Sequence, residues 1–317
     1  MDGAKGLDPE RVAMTAAERE RMTARHILER CMANDLSAEV AIARLALNLQ
    51  PDVQPADLAD IALDMRSYAP RRRGWLEEVA MLLSRKEVSF DDLRTTAASV
   101  CHDHLDDETH EMTVSRLASG FDRAAAISPA ASVQLSSLGD EEKLSAATAE
   151  IASWLEQQGF LGRGKTILDI GCGIGRFERA LHQKAKHIVG IDISSRMLDI
   201  ARRRCAGLGN VEFRQTSGLD LGEFVAAGFD GVLAVDCFPY LVLAGIADRH
   251  FSEIARLLRP GGLAAILNYS YRTSPAVDSF DVRRLAHACA MDVLVDADLP
   301  FRRWDGTAFL VRRSGGT

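Results

Sequence analysis

Leu168-Asp169-Ile170-Gly171-Cys172-Gly173-Ile174-Gly175-Arg176-Phe177 is the stretch on which the reading of this chain turns. A short apolar run, Thr166 to Ile170, leads into it, and a helical pattern, Arg176 to Lys184, leads out. A glycine loop between a strand and a helix lets the backbone turn sharply and lets a ligand approach it at the carboxyl end of the strand. The next apolar run, His187 to Ile191, is followed by Asp192. That acid stands about 20 residues beyond the loop, the distance at which a carboxylate on the second strand reaches ribose hydroxyls. Glycine spacing separates two ligand classes. A dinucleotide fingerprint runs G-x-G-x-x-G, its third glycine letting the helix pack beside a pyrophosphate. Here the third glycine arrives one residue early, at Gly175, Arg176 occupies the fingerprint position, and Asp169 precedes the loop. The pattern favours a ligand without a pyrophosphate.

Downstream, strands and helices alternate. Ser194 to Cys205 reads as a helix, Val211 to Gln215 as a third strand, and Phe229 to Val235 as a fourth. Ile246 to Leu258 is helical, Pro260-Gly261-Gly262 a turn, Leu263 to Asn268 a fifth strand and Asp281 to Ala290 a helix. Met291 to Asp296 and Ala308 to Arg312 follow with no helix between them, which predicts antiparallel pairing. This is an α/β pattern: a doubly wound, mostly parallel, seven-stranded sheet with helices on both faces. Upstream, Thr15 to about Arg123 reads as helical throughout, with apolar stripes such as Leu58, Ile61, Ala62 and Met65 at helical spacing. Breaks fall at Pro51 to Pro55, at Pro70 with Arg71 to Arg73, and at a capped start near Ser89. The expected organisation is an all-helical N-terminal module over residues 1–115, a linker or lid over 116–140, and the α/β domain over 141–317.

The composition excludes several classes. The chain has 317 residues, 47% of them hydrophobic, and a net charge of −7. Residues 1–115 carry 14 basic and 22 acidic side chains, and the rest 24 and 23. An acidic protein with only 6% aromatics is poorly suited to gripping bulk nucleic acid or an anionic membrane. Six scattered cysteines without a C-x-x-C pair read as reduced thiols, and no secretory signal or membrane span is evident, which points to the cytoplasm. Cys101-His102-Asp103-His104, with Asp106, Asp107 and His110, resembles a metal cluster, but helical spacing joins only His102 and Asp106 on one face. It reads as a solvated polar helix end, and no metal is expected.

Residues 166–270 resemble the class I S-adenosylmethionine-dependent methyltransferases, a Rossmann-like superfamily. The likeness rests on ILDIGCGIGRFERAL, GIDIS, FDGVLAVDCFPYL and LLRPGGLAAILNYS, and extends more loosely from about Phe121 to Arg313. It implies that Gly171, Gly173 and Gly175, with Cys172 as a small filler among them, line the methionine part of S-adenosyl-L-methionine. Asp169 would steady the loop and the cofactor's amino group, Asp192 would bind both ribose hydroxyls, and Ile193 and Met197 would flank adenine. Many members carry an acid after the third strand that contacts the adenine amino group. Ser217 stands there in this chain, so that Ser217 or the backbone around Gly218 and Leu219 serves instead. Asp236 would face the methionine end or the acceptor.

The chemistry implied is transfer of a methyl group to an oxygen or nitrogen of a small-molecule acceptor, releasing S-adenosyl-L-homocysteine. In-line alignment supplies much of the acceleration, and a hydroxyl acceptor also wants a base. Asp236, Tyr240 and Tyr269 are the catalytic candidates, with Phe238, Tyr271, Trp304 and Asp305 at the same strand ends. Tyr269 and Tyr271 share a face if the fifth strand continues past Asn268; if it stops there, one of them faces the cleft. Cys237-Phe238-Pro239-Tyr240 lacks the first polar residue and first proline of the [DNS]-P-P-[YFW] motif of DNA amino-methyltransferases. Two other readings remain: a cofactor-binding regulatory or assembly protein, and a protein methyltransferase whose helical module docks a client. That module is also a candidate homodimer contact.

Overall fold

The computed structural model describes residues 15–85, 89–105, 107–272 and 274–315. Residues 1–10, expected to fray, lie outside them, as does Asp106. The helical part opens with α1 (Ala16–Ala33), α2 (Ala38–Asn48), α3 (Pro55–Met65), α4 (Arg73–Leu83) and α5 (Phe90–Ala98). Local chemistry sets their ends. Thr15 and Glu18 form a reciprocal capping box at α1, Pro55 starts α3, and Ser89 Oγ accepts from Asp92 N at 3.0 Å at the start of α5. Leu28, Ile42, Leu45, Leu58, Ile61, Met65 and Leu76 form one buried core among these helices.

Two segments depart from expectation. Residues 101–105 are not helical, so His102 turns away from the helix face assigned to it. The helix α5 has already ended at Ala98, where Ser99 is the cap residue and its Oγ donates to Thr95 O at 2.7 Å. The segment expected as a loop after Ser128 is mostly helical. After α6 (His110–Ile127), Ser128 Oγ caps α7 (Pro129–Val133) with Pro129 in its first turn, and a 3₁₀ turn spans Leu135–Ser137. Ser-Pro is itself a helix-start signal. Ala131 and Leu138 join the helical core, while Val133 reaches the glycine loop.

The α/β part begins at α8 (Glu141–Gln157), capped by Asp140. It continues through β1 (Gly162–Ile170), α9 (Arg176–Leu181), β2 (Ala185–Asp192), α10 (Ser195–Arg204), β3 (Val211–Gln215) and β4 (Phe229–Val235). Then come α11 (Phe238–Leu243), α12 (Ala247–Leu257), β5 (Leu258–Leu267), α13 (Pro275–Ala288), β6 (Met291–Asp298) and β7 (Ala308–Arg313). The sheet order is β3-β2-β1-β4-β5-β7-β6, with β7 antiparallel to both neighbours. Pro260-Gly261-Gly262, expected as a turn, bulges within β5: Phe229 pairs with Leu258 but Gly231 with Leu263. The α11 helix, which the alternation did not predict, starts at Phe238-Pro239, proline again in the first turn. The order of parallel strands reverses between β1 and β4. Connections from these two strands leave to opposite faces, which opens a crevice at their carboxyl ends. The glycine loop follows β1, Asp192 ends β2 and Asp236 follows β4, so three separated sequence features meet at this crevice.

Candidate active site

The loop after β1 is tied to β2: Gly171 N and Cys172 N donate to Ile191 O at 2.8 and 3.0 Å. Gly171, Gly173 and Gly175 all have positive φ. Gly175 is also pressed against α10, where an added Cβ would lie 3.0 Å from Ala201 Cα, closer than side chains pack. Asp192 completes the turn by accepting from Gly173 N at 2.9 Å and Ser194 N at 2.8 Å. Burial raises its pKa, and the backbone donors act against that rise.

Beneath the loop lies a buried charged group. Asp169 and Glu178 are both buried and desolvation drives both carboxyl pKa values upward; the Glu178 charge and the hydrogen bond between the two raise Asp169 further, and the same hydrogen bond acts against the rise at Glu178. No side chain beyond this carboxyl pair supplies a hydrogen bond to Asp169 Oδ2 or to either Glu178 oxygen among the described residues. Arg176 is buried as well. Its Nη1 donates to Gln134 Oε1 at 2.5 Å and Thr148 Oγ1 at 3.4 Å, and its guanidinium lies 4.5 Å over the Phe177 ring. Burial lowers its pKa to about 10, so it remains a cation at neutral pH. Its hydrogen-bond partners among the described residues are thus neutral.

On the β4 side, Asp236 adopts a left-handed backbone, φ 53°, rare for a non-glycine residue. Its carboxylate accepts from Asn268 Nδ2 and Trp304 Nε1, both at 2.8 Å. Burial pushes its pKa up to about 6. Gly306 lets Trp304 approach, since a Cβ there would sit 2.1 Å from the indole. Asp305 instead pairs with Arg44 of α2 at 2.6 Å, joining the helical part to the loop before β7.

These groups open onto one cavity of about 1110 Å³. It holds Asp169, Gly171, Cys172, Gly173, Asp192, Ile193, Met197, Gly218, Asp236 and Tyr240 of the sequence candidates, and runs on between α2 and α5 past Ala43, Ala46 and Ala97. Four candidates lie elsewhere. Gly175 packs on α10. Ser217 is exposed and takes Leu219 N on its own hydroxyl, while Leu219 packs against the sheet core. Tyr269 is also in the core, stacked on the equally buried Phe238 with centroids 5.7 Å apart. The physical reason is that β5 ends at Leu267 and Asn268 takes φ 69°, which breaks the alternation and sends Tyr271, not Tyr269, to the cavity. Sequence reasoning also passed over Arg176, Gln134 and Asn268, and weighed His102 only as a metal ligand. Of these only Asn268 carried a local signal, an asparagine at a strand end being suited to a left-handed turn.

Residues 167–262 match the model of a family described as a methyltransferase domain. Over these residues the chain is similar to methyltransferase domains, and its seven-stranded α/β part has the fold of the class I methyltransferases. A demethylmenaquinone methyltransferase of Tropheryma whipplei is 36% identical to the superfamily region over 108 residues, 34% of this chain and 43% of that protein. A ubiquinone biosynthesis O-methyltransferase of Dechloromonas aromatica is 32% identical over 110 residues, 34% of this chain and 46% of that protein. The matches therefore span less than half the length of either relative. A solved phosphoethanolamine N-methyltransferase 1 of Haemonchus contortus, in complex with phosphoethanolamine and S-adenosylhomocysteine, shares the methyltransferase fold. Its TM-score is 0.53 at 20% identity, over 66% of this chain and 51% of that one. Among the described residues no helix is long and apolar enough to cross a membrane, and no group of metal-ligating side chains is present.

Proposed function

We propose that this chain is an S-adenosylmethionine-dependent methyltransferase acting on a ring hydroxyl of an apolar small-molecule acceptor. The observation that carries the reading is the shared cavity, which joins the glycine loop and Asp192 to the aromatic side chains after β4 and β5. The residues suit the cofactor. Gly171 and Gly173 take positive φ and put no side chain into the turn, Asp169 lines the cavity as a buried carboxyl, and Arg176 is a buried cation with neutral hydrogen-bond partners and Asp169 and Asp236 as opposing charges. An α-amino acid brings one ammonium and one carboxylate, which complement the acids and Arg176 respectively. Asp192 would hold the ribose hydroxyls, with Ile193, Met197 and Gly218 beside adenine.

The bound cofactor supplies an electrophilic methyl group. The chain's task is to align the acceptor and exclude water, effects worth up to about 7–11 kcal/mol in favourable cases. Val133 and Phe121, from the segment leading into the α/β part, close over the loop side, and Asp122 Oδ1 fixes this cover by accepting from Ser194 Oγ at 2.6 Å and Arg196 N at 3.1 Å. A cavity of about 1110 Å³ exceeds the usual ~300–1,000 Å³ of ligand pockets, which leaves room for an acceptor with an apolar tail. The relatives named for demethylmenaquinone and ubiquinone biosynthesis support that class. Calorimetry tests the cofactor assignment. Wild-type chain should bind S-adenosylmethionine, and Asp192→Ala should weaken it by about 10- to 100-fold, the loss of one or two hydrogen bonds to a charged group. Undiminished affinity in the variant would overturn the ribose assignment.

A further inference from the structure

Tyr240, Tyr271, Phe121 and His102 meet on the cavity wall, from α11, the loop after β5, α6 and the non-helical segment after α5. Tyr271 Oη donates to Tyr240 Oη at 3.1 Å, and Tyr240 Oη lies 3.2 Å from His102 Nε2. The His102 ring centroid is 5.6 Å from that of Tyr240 and 5.3 Å from that of Tyr271, and Phe121 meets Tyr240 edge-on at 4.9 Å. With Tyr271 as the donor to Tyr240 Oη, the Tyr240 hydroxyl hydrogen is free to point to His102 Nε2 in the tautomer that carries its proton on Nδ1.

We propose that His102, supplied by the helical part of the chain, takes up the acceptor's hydroxyl proton through Tyr240. This rests on the methyltransferase reading above and adds the route by which the proton leaves. As the acceptor oxygen bonds the methyl carbon, the carbon–sulfur bond breaks and its electron pair stays on sulfur. The acceptor's proton passes to Tyr240 Oη while the Tyr240 proton passes to His102 Nε2. His102 has an exposed edge from which the proton returns to water.

The surroundings suit the task. Desolvation on its packed side lowers the His102 pKa although the ring keeps an exposed edge, and a hydrogen bond with the Val100 backbone acts against that lowering. The facing groups are Asp103, whose charge acts against that lowering, the two phenols, and beyond Tyr240 the half-buried Asp236 and Cys237. Desolvation raises the Tyr240 pKa, so Tyr240 passes a proton on rather than standing ionised. The segment is anchored on both sides of His102. Arg116, paired with Glu108 at 2.8 Å, donates to Cys101 O at 2.9 Å and Asp103 O at 3.2 Å. His110 Nδ1 lies 2.6 Å from Ala244 O at the end of α11, holding α6 to the element that carries Tyr240. Such anchoring gives a proton path fixed geometry.

The test uses the full chain, S-adenosylmethionine, and catechol, 4-nitrocatechol and 1,4-naphthoquinol as acceptors. The nitro group acidifies the ring hydroxyl, so that acceptor needs little help in losing its proton. His102→Gln should lower kcat for catechol and the naphthoquinol by about 10²- to 10³-fold, the usual worth of positioned proton transfer, but by less than about 10-fold for 4-nitrocatechol. Cofactor affinity should not change. By NMR, the His102 ring should titrate below about 6.5, and Tyr240→Phe should raise its pKa by removing the donor to Nε2. An equal loss on all three acceptors, or no response of the ring to Tyr240→Phe, overturns the relay. Cofactor binding without methylation of any of the three overturns the ring-hydroxyl acceptor and the relay together. Failure of the wild-type chain to bind the cofactor overturns the methyltransferase reading itself.

Discussion

At Asp236 a carboxylate is kept in a left-handed turn and out of water, and both choices cost free energy. Positive φ in a residue with a Cβ costs roughly 1–2 kcal/mol. Burial with a pKa raised from 3.8 to about 6 adds a penalty for ionisation of about 3 kcal/mol. Two neutral donors, Asn268 and Trp304, soften that penalty without removing it. A residue kept at such cost beside a cavity is a functional candidate on physical grounds. The sign follows from the direction of the shift: because the folded-state pKa is raised, the protonated form is the stabilising one. The contribution is complete below about pH 4 and is lost as the pH rises through 6. Urea denaturation of wild type and Asp236→Asn should therefore show the variant gaining on the wild type by about 2–3 kcal/mol between pH 4 and pH 7, while its affinity for S-adenosylmethionine falls. A stability difference that stays flat across that range would show that Asp236 does not titrate there. Residues of this kind were legible unevenly. Asp192 and Asp236 stand at predicted strand ends, where a carboxylate has few structural uses. Arg176 and His102 looked like ordinary surface residues, because nothing local to them signals burial or a partner 138 positions away.

At the level of elements, the turn from β1 into α9 depends on backbone shape more than on side chains. Gly175 has φ 76° and faces Ala201 of α10 with no room for a Cβ, whereas Gly207 has φ 85° and nothing within 4 Å. Gly207→Ala should therefore lose only the strain of a left-handed alanine, about 1–2 kcal/mol. Gly175→Ala should lose more, since α9 must also move from α10, and the displacement should carry the loop and weaken cofactor binding. Thermal unfolding and calorimetry on the pair check both statements; equal losses would remove the packing argument. The central strands were readable because each carries an apolar run bounded by glycine, proline or a polar turn, whereas β3 and β6 at the sheet edges are mixed in polarity. Two helices were not readable. Pro129 reads as part of a loop and Pro239 only as part of a motif, yet each sits in the first turn of a short helix, where its missing N–H has no partner to lose. Tyr269 failed as a site residue for a related reason. Alternation along β5 holds only to Leu267, and the dihedral at Asn268 then decides which tyrosine meets the cavity.

The whole molecule builds its cavity from two parts of the chain that share little sequence character. Ala43 and Ala46 of α2 and Ala97 of α5 line its far branch, Arg44 pairs with Asp305 across the junction, and Gln134 donates to Arg303 O at 3.1 Å. If this branch takes the acceptor's apolar tail, Ala43→Phe should raise KM for a prenylated naphthoquinol by about 10-fold. That is roughly the worth of 1.4 kcal/mol of lost apolar contact. KM for catechol and the affinity for S-adenosylmethionine should stay as they are; an equal rise for both acceptors would mean the branch does not hold the tail. The amino-acid sequence by itself determined the α/β order, the glycine turn and the ribose-distance acid, because these depend on periodicity and on spacings within about 30 residues. Only the tertiary structure decided that the helical part walls the cavity, that His102 reaches Tyr240 and that Tyr269 belongs to the core. Those outcomes depend on packing between residues far apart in the chain and on single backbone dihedrals, neither of which leaves a periodic trace in the sequence.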